Sequence, residues 1–429
     1  MSASSPRPSA NEAVRLRRLR WVASTLLRAS VAVSVLGLHV FAFKTLAAER
    51  MKIPFNASPT EPPTIQSEFS HWNRLLVSRW DSLHYIAILA RGFSTCPPKD
   101  LRGADLRSCH FHFYPGYPLV GRGIEWLFHI PGDYALWAVS LAASFLFVFL
   151  WTGPALSGAL GMANTYISLF LFNVFTTGFS LVTVQTEPLA LLSALGAFVC
   201  LRRRYWLLGA AVAGMGGAIR VTGGAIGVGY GLSLVVHALT ERGERPLVRW
   251  GRVALGAPLC GWGQLAIFAY FWLQYKDPFL YLRAHSQVYG SEAHLLDTIW
   301  PKPTVVMHAL TMGMHEGLFV FLALLFLALG MRDALARFTV VERVYWYSTS
   351  FFVLAIGLIG SAGLAYIGMN RYLLLVLPLF FSMATVLRRS YIALGLWSVL
   401  SLWHYWNVDL CVFVAERDTP QFCNMSYMP

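Results

Sequence analysis

Apolar runs close to the length of a bilayer crossing recur along this chain, and its arginines gather between them rather than within them. A helix needs roughly 20 predominantly apolar residues to traverse the hydrocarbon. Runs of that order lie at 21–48, 134–156, 163–181, 186–201, 205–219, 221–240, 252–274, 304–330, 345–368, 371–387 and 391–406. In lipid every backbone N–H and C=O must be satisfied internally, which a continuous apolar run achieves as a helix. The expected fold class is therefore all-α, a polytopic membrane protein of about eleven transmembrane helices. Composition points the same way. The chain is 56% hydrophobic and 13% charged, against about 25% charged in soluble domains.

The basic loops set an orientation. Arg202 to Arg204, Arg242 to Arg252, Arg332 to Arg343 and the pair Arg388 and Arg389 are expected on the cytoplasmic side. Arg15, Arg17, Arg18 and Arg20 precede the first run, making 1–20 a basic cytoplasmic N-terminus, 21–406 the membrane-embedded domain and 407–429 a non-cytoplasmic tail. Counting spans back from Arg203 places Asp133 outside, as is the loop 49–133 after the first span. The apolar piece Tyr117 to Ile130, which carries Arg122 and Glu125, then cannot cross and is expected to lie as an interfacial helix. The net charge of +13 is read as a topology signal. With no concentrated basic face, nucleic acid is not an expected partner, whereas membrane lipid is. Cys200 and Cys260 fall inside apolar runs, while Cys96 with Cys109 and Cys411 with Cys423 are candidate disulfides if their segments face an oxidising compartment. Asn56 and Asn424 begin glycosylation sequons, the first followed by Pro59.

Five stretches place polar residues at span ends or in the outer loop. In SRWDSLHYIAILARGF (78–93) a helix puts Trp80, His84 and Ala87 on one face, with Asp81 and Tyr85 beside it. Asp81 is either a general base at the membrane surface or the partner of Arg79 or Arg91. In FHFYPGYPLVGR (111–122) two prolines and a glycine make a rigid turn, whose His112 and Tyr114 either line a sugar pocket or shape the turn. In VTVQTEPLALL (182–192) Glu187 precedes Pro188 at the start of a span. It either complements the helix N-terminus or serves as a site carboxylate at the membrane edge. In AIRVTGGAIG (218–227) Arg220 needs an anionic partner at that depth, a lipid phosphate or Glu187. In YIGMNRYLLLVLPLF (366–380) Asn370 and Arg371 separate two apolar runs, and Arg371 is a second candidate phosphate ligand through its guanidinium fork. The histidines show no metal-ligand spacing, and neither a Walker loop nor a dinucleotide fingerprint is present.

Taken in order, RWDSLHYIAILARGF, FHFYPGYPLV, TEPLALL, the Arg-x-Thr-Gly of 220–223 and KDPFLYLRAH at 276–285 resemble the PIG-V family of mannosyltransferases and its prokaryotic relatives. The TEPL and KDPFLYLRAH stretches are closer in style to bacterial members. The resemblance implies a GT-C-type fold with a long non-cytoplasmic first loop carrying interfacial helices, and a polyprenyl-linked donor. It aligns the family's Trp-Asp element with Trp80 and Asp81, making Asp81 the catalytic carboxylate, and the family's acidic element with Glu187. Its implied location is the plasma membrane with an outward-facing site in a prokaryote, or the endoplasmic reticulum with a lumenal site in a eukaryote.

The expected activity is transfer of mannose from dolichyl- or polyprenyl-phosphate mannose to a hydroxyl of a glycolipid or glycan, a GPI precursor being one implied acceptor. Asp81 would take the hydroxyl proton, Glu187 being the second candidate, and Arg220 and Arg371 would stabilise the departing phosphate. Trp80, His84, His112 and Tyr114 would bind substrate. A divalent cation is a candidate cofactor, although arginines can take its place at a phosphate. The rival class is a transporter or flippase, which often shows broken helices paired across two related halves; no such symmetry is visible. A third class is a membrane scaffold, in which Asp81 and Arg220 would be dispensable.

Overall fold

The computed structural model describes residues 10–50, 81–93, 106, 109–175, 178–289, 314–361 and 369–404. Every regular element among them is helical: α1 (Ala10–Arg50), α2 (Asp81–Arg91), α3 (Gly116–Phe128), α4 (Gly132–Trp151), α5 (Pro154–Leu160), α6 (Met162–Asn173), a 3-10 turn (Gly178–Leu181), α7 (Glu187–Arg202), α8 (Trp206–Ile219), α9 (Gly223–Thr240), α10 (Pro246–Tyr275), α11 (Leu280–Tyr289), α12 (Met314–Ala334), α13 (Val340–Ser361), α14 (Met369–Leu373), α15 (Leu377–Leu387) and α16 (Tyr391–His404).

Among the described residues four helices are long and apolar enough to cross a membrane, at Arg17–Ala42, Gly132–Trp151, Gly223–Thr240 and Pro246–Tyr275, or up to five if α5 and α6 are counted as one bent span. The first of these is largely uncovered by protein, with Trp21, Leu26, Leu27, Val33, Leu38 and Phe41 exposed. That is the surface of a helix facing lipid.

The expected straight run over 163–181 takes a different form. It is helical only as far as Asn173, as α6, which is bent by 110° from α5 at Gly161, in the gap between the expected runs. The expected crossing at 134–156 likewise ends at Trp151, where Gly153 and Pro154 restart the chain as α5. Over 117–130 the helix is present as α3 and is two-sided: Tyr117, Pro118 and Gly121 are buried, and Leu119, Trp126, Leu127 and Phe128 are exposed.

Helices α7, α8, α9 and α10 pack side by side in chain order, and α10 also returns against α8. Helix α4 joins this group through α7 and carries α1 and α3 on its other sides, while α13 lies on α9 and α12 on α15. The polar residues at one end of α2, α7, α8 and α14 come together within this frame.

Among the described residues Cys109 is disulfide-bonded, and Cys200 and Cys260 are free. Trp80, Cys96, Cys411, Cys423, both sequons and the tail 407–429 lie outside the described residues.

Candidate active site

The approach to α7 fixes the site. Residues 181–186, from the last residue of the 3-10 turn through the irregular 182–186, are wholly buried, a position where unpaired carbonyls would be costly. Side chains of two helices supply donors instead. Ser144 Oγ donates to Leu181 O at 2.7 Å, Trp137 Nε1 to Val182 O at 2.8 Å, Ser82 Oγ to Val184 O at 2.9 Å and Ser140 Oγ to Gln185 O at 3.2 Å. This stitching holds the segment against α2 and α4 and delivers Gln185 and Glu187 to the start of α7.

Two motif glycines bring the other segments close. A Cβ on Gly116 would meet the carbonyl of Ala218, so α3 reaches the end of α8 only with glycine at that point. A Cβ on Gly223 would fall on the carbonyl of Gly216, so the turn from α8 into α9 closes tightly and Arg220 leaves α8 in extended backbone.

Four charged residues meet there. Arg371, on α14, donates from Nε to Glu187 Oε1 at 2.8 Å, from Nη1 to Asp81 Oδ2 at 2.7 Å and from Nη2 to Gln185 Oε1 at 2.9 Å. Its Nη2 also lies 2.7 Å from Glu187 Oε1. Arg220 Nη1 approaches the same Oε1 at 2.9 Å, as an ion pair rather than an aligned hydrogen bond, and its guanidinium lies 5.6 Å from the ring centre of Tyr372. Asp81 and Glu187 both open helices, where carboxylates complement the dipole. Exposure separates them: the Glu187 side chain is 0% exposed and that of Asp81 23%.

No family model, curated protein or solved structure matches this chain.

One turn along α2 is a histidine and aromatic corner. His84 stacks on Phe113 with ring centres 4.4 Å apart and shares a 2.7 Å hydrogen bond between its Nδ1 and that of His110. His112 meets His84 edge-on at 5.4 Å and is buried. Burial, and after it the neighbouring His84, push the His112 imidazole down to about 3, so it is uncharged near neutral pH. His110 and His285 are also lowered, chiefly by burial. Tyr114 is enclosed, its hydroxyl accepting a 2.8 Å hydrogen bond from Gln264 Nε2 and its ring packing on Tyr281 at 4.6 Å. Among the described residues no group of three or more His, Cys, Asp or Glu side chains is arranged to hold a metal ion.

Of the residues singled out in the sequence, Asp81, Glu187, Arg220 and Arg371 form one cluster and His84 and His112 lie beside it, while Tyr114 packs on Tyr281 and Gln264. Asp81 pairs with Arg371, Arg79 lies outside the described residues, and Arg220 takes Glu187 as its anion. Gln185, His110, Gln264, Tyr281 and Tyr372 join the site without having been singled out. Gln185 carried one signal, an amide two residues before Glu187 in a stretch whose other residues are apolar or threonine.

Proposed function

We propose that this chain is a polyprenyl-phosphate-dependent mannosyltransferase of the PIG-V kind, with a GT-C-type arrangement of about eleven spans and its site on the non-cytoplasmic side. The observation that carries this reading is the meeting of Asp81, Glu187, Arg220 and Arg371, from four separate segments, at one end of the helix group. Such a cluster offers both things the reaction needs: a partly exposed carboxylate to take a proton, and guanidiniums to hold a phosphate. The Cys109 disulfide supports an outer, oxidising location for this end, and the apolar exposed face of α3 suits a helix lying on the membrane surface.

In the reaction Asp81 accepts the proton of the acceptor hydroxyl. The acceptor oxygen bonds to C1 of mannose as the C1–O bond to phosphate breaks, and that electron pair leaves on the phosphate oxygen. Arg371 and Arg220 stabilise the charge gathering there. Glu187, fully enclosed, positions both arginines and does not touch substrate. His84 and the rings around it supply an aromatic wall for the sugar.

The deciding experiment incubates membranes containing the protein with labelled polyprenyl-phosphate mannose and identifies the product. Mannose transfer that is absent from membranes lacking the protein supports the reading. Movement of the intact lipid across the bilayer without transfer would favour a flippase instead.

A further inference from the structure

The charge count of the cluster raises a difficulty for phosphate binding. Two carboxylates, Asp81 and Glu187, face two guanidiniums, Arg220 and Arg371, so the group is already neutral. Every nitrogen of Arg371 is also engaged: Nε by Glu187, Nη2 by Glu187 and Gln185, and Nη1 by Asp81. At Arg371 a phosphate ester cannot enter as an addition. It has to replace an acceptor.

Only one of the three acceptors is free to leave. Glu187 and Gln185 are enclosed on a segment whose backbone is stitched to α2 and α4, at 0% and 3% exposure. Asp81 holds the remaining edge of the guanidinium and is 23% exposed, with Arg371 itself 31% exposed. Moving a half-buried carboxylate into water costs far less than stripping partners from an enclosed one.

We propose that Asp81 and the donor phosphate compete for Arg371 Nη1, so that arrival of a phosphate ester anion unmasks the base. Without donor, Asp81 Oδ2 is occupied by the hydrogen bond from Arg371 Nη1 and is not open to an acceptor hydroxyl. With donor bound, Arg371 turns to the phosphate while Glu187 keeps its Nε in place, and Asp81 is released beside the reacting carbon. The base is thereby switched on by the substrate whose leaving group Arg371 stabilises, and donor binding precedes deprotonation of the acceptor. This regulation rests on the transferase reading above.

The test uses the full-length protein in nanodiscs, with aspartate carboxyls carrying carbon-13 for infrared difference spectra. Polyprenyl phosphate should shift a carboxylate band that is missing from Asp81→Asn, and neutral polyprenol should not. The affinity for polyprenyl phosphate should rise on the order of tenfold in Asp81→Asn, the gain from removing one competing carboxylate. Inorganic phosphate at matched concentration should move the band less; an equal shift would still support the exchange and would make the phosphate group alone sufficient for it. An unmoved band in the wild type, or an affinity equal or weaker in Asp81→Asn, overturns the competition while leaving mannose transfer to be judged by its own assay. Absence of polyprenyl phosphate binding in both proteins overturns the competition and the transferase reading together.

Discussion

Asp81 and Glu187 share a single guanidinium: Arg371 reaches the first through Nη1 at 2.7 Å and the second through Nε at 2.8 Å. The two carboxylates differ in burial and in their remaining partners. Glu187 is sealed in and also holds Arg220, whereas Asp81 keeps part of its surface open. Under the proposed function one carboxylate is an anchor and the other a reactant, and substitutions at the two positions should fail in different ways.

Asp81→Asn preserves size and can still accept a hydrogen bond from Arg371, but it cannot take a proton. Transfer should fall by roughly two to four orders of magnitude. Folding should persist, because a partly exposed ion pair contributes only about 0–1 kcal/mol. Single-turnover transfer and thermal unfolding on the same preparation check both halves. Retention of more than about a tenth of wild-type transfer would remove Asp81 as the base.

Glu187→Gln should instead be lost as folded protein. It removes the carboxylate on which two guanidiniums converge in an enclosed site, and breaking a buried pair on one side costs about 3–5 kcal/mol. The measurement is the yield of monodisperse protein after detergent extraction, together with its unfolding temperature. A Glu187→Gln protein as stable as Asp81→Asn would show that the anchor role is wrong.

The cluster was legible in the sequence where charge sat against an apolar background. Arg220 between two apolar segments demanded an anion, and Glu187 at the mouth of a neighbouring span was available to it. Arg371 was legible as a site residue by the same logic, but its pairing with Asp81 was not. That contact spans most of the chain, and two nearer arginines competed for Asp81. Gln185 was hidden for a different reason: an uncharged amide acquires meaning only once residues 182–186 are known to be buried and irregular. The end of α6 at Asn173 was missed because the apolar run over 163–181 continues past it, so composition kept its signal while the backbone left the helix.

Gly223→Ala tests whether the Arg-x-Thr-Gly motif is structural at its glycine. The added methyl would collide with the backbone of Gly216, which cannot swing aside as a side chain could. Overpacking of this kind costs about 1–3 kcal/mol or more, and it should shift Arg220 as well. The expected result is lowered thermal stability with transfer reduced in the surviving protein. Unchanged stability and unchanged transfer would mean that the α8–α9 turn relaxes freely.

The last prediction concerns acid. His112 is buried and faces His84 on α2, His110 on its own loop, His285 on α11 and the charge of Asp81. Burial brings its imidazole down from 6.5 to about 3, so the folded protein holds it uncharged over a range in which the unfolded chain would protonate it. Between those two values the unfolded state binds more protons, and stability must rise with pH across that window. The contribution is therefore complete above pH 6.5 and is lost progressively as the pH falls toward 3. His112→Asn removes the titrating ring while keeping a polar group on the loop. Unfolding temperatures measured from about pH 7.5 down to about pH 4.5 should drop more steeply for the wild type than for His112→Asn. His110 and His285 titrate in both proteins, so the difference between the two curves belongs to His112. Parallel curves would mean that His112 is open to water and that the histidine corner is no closed wall beside Asp81.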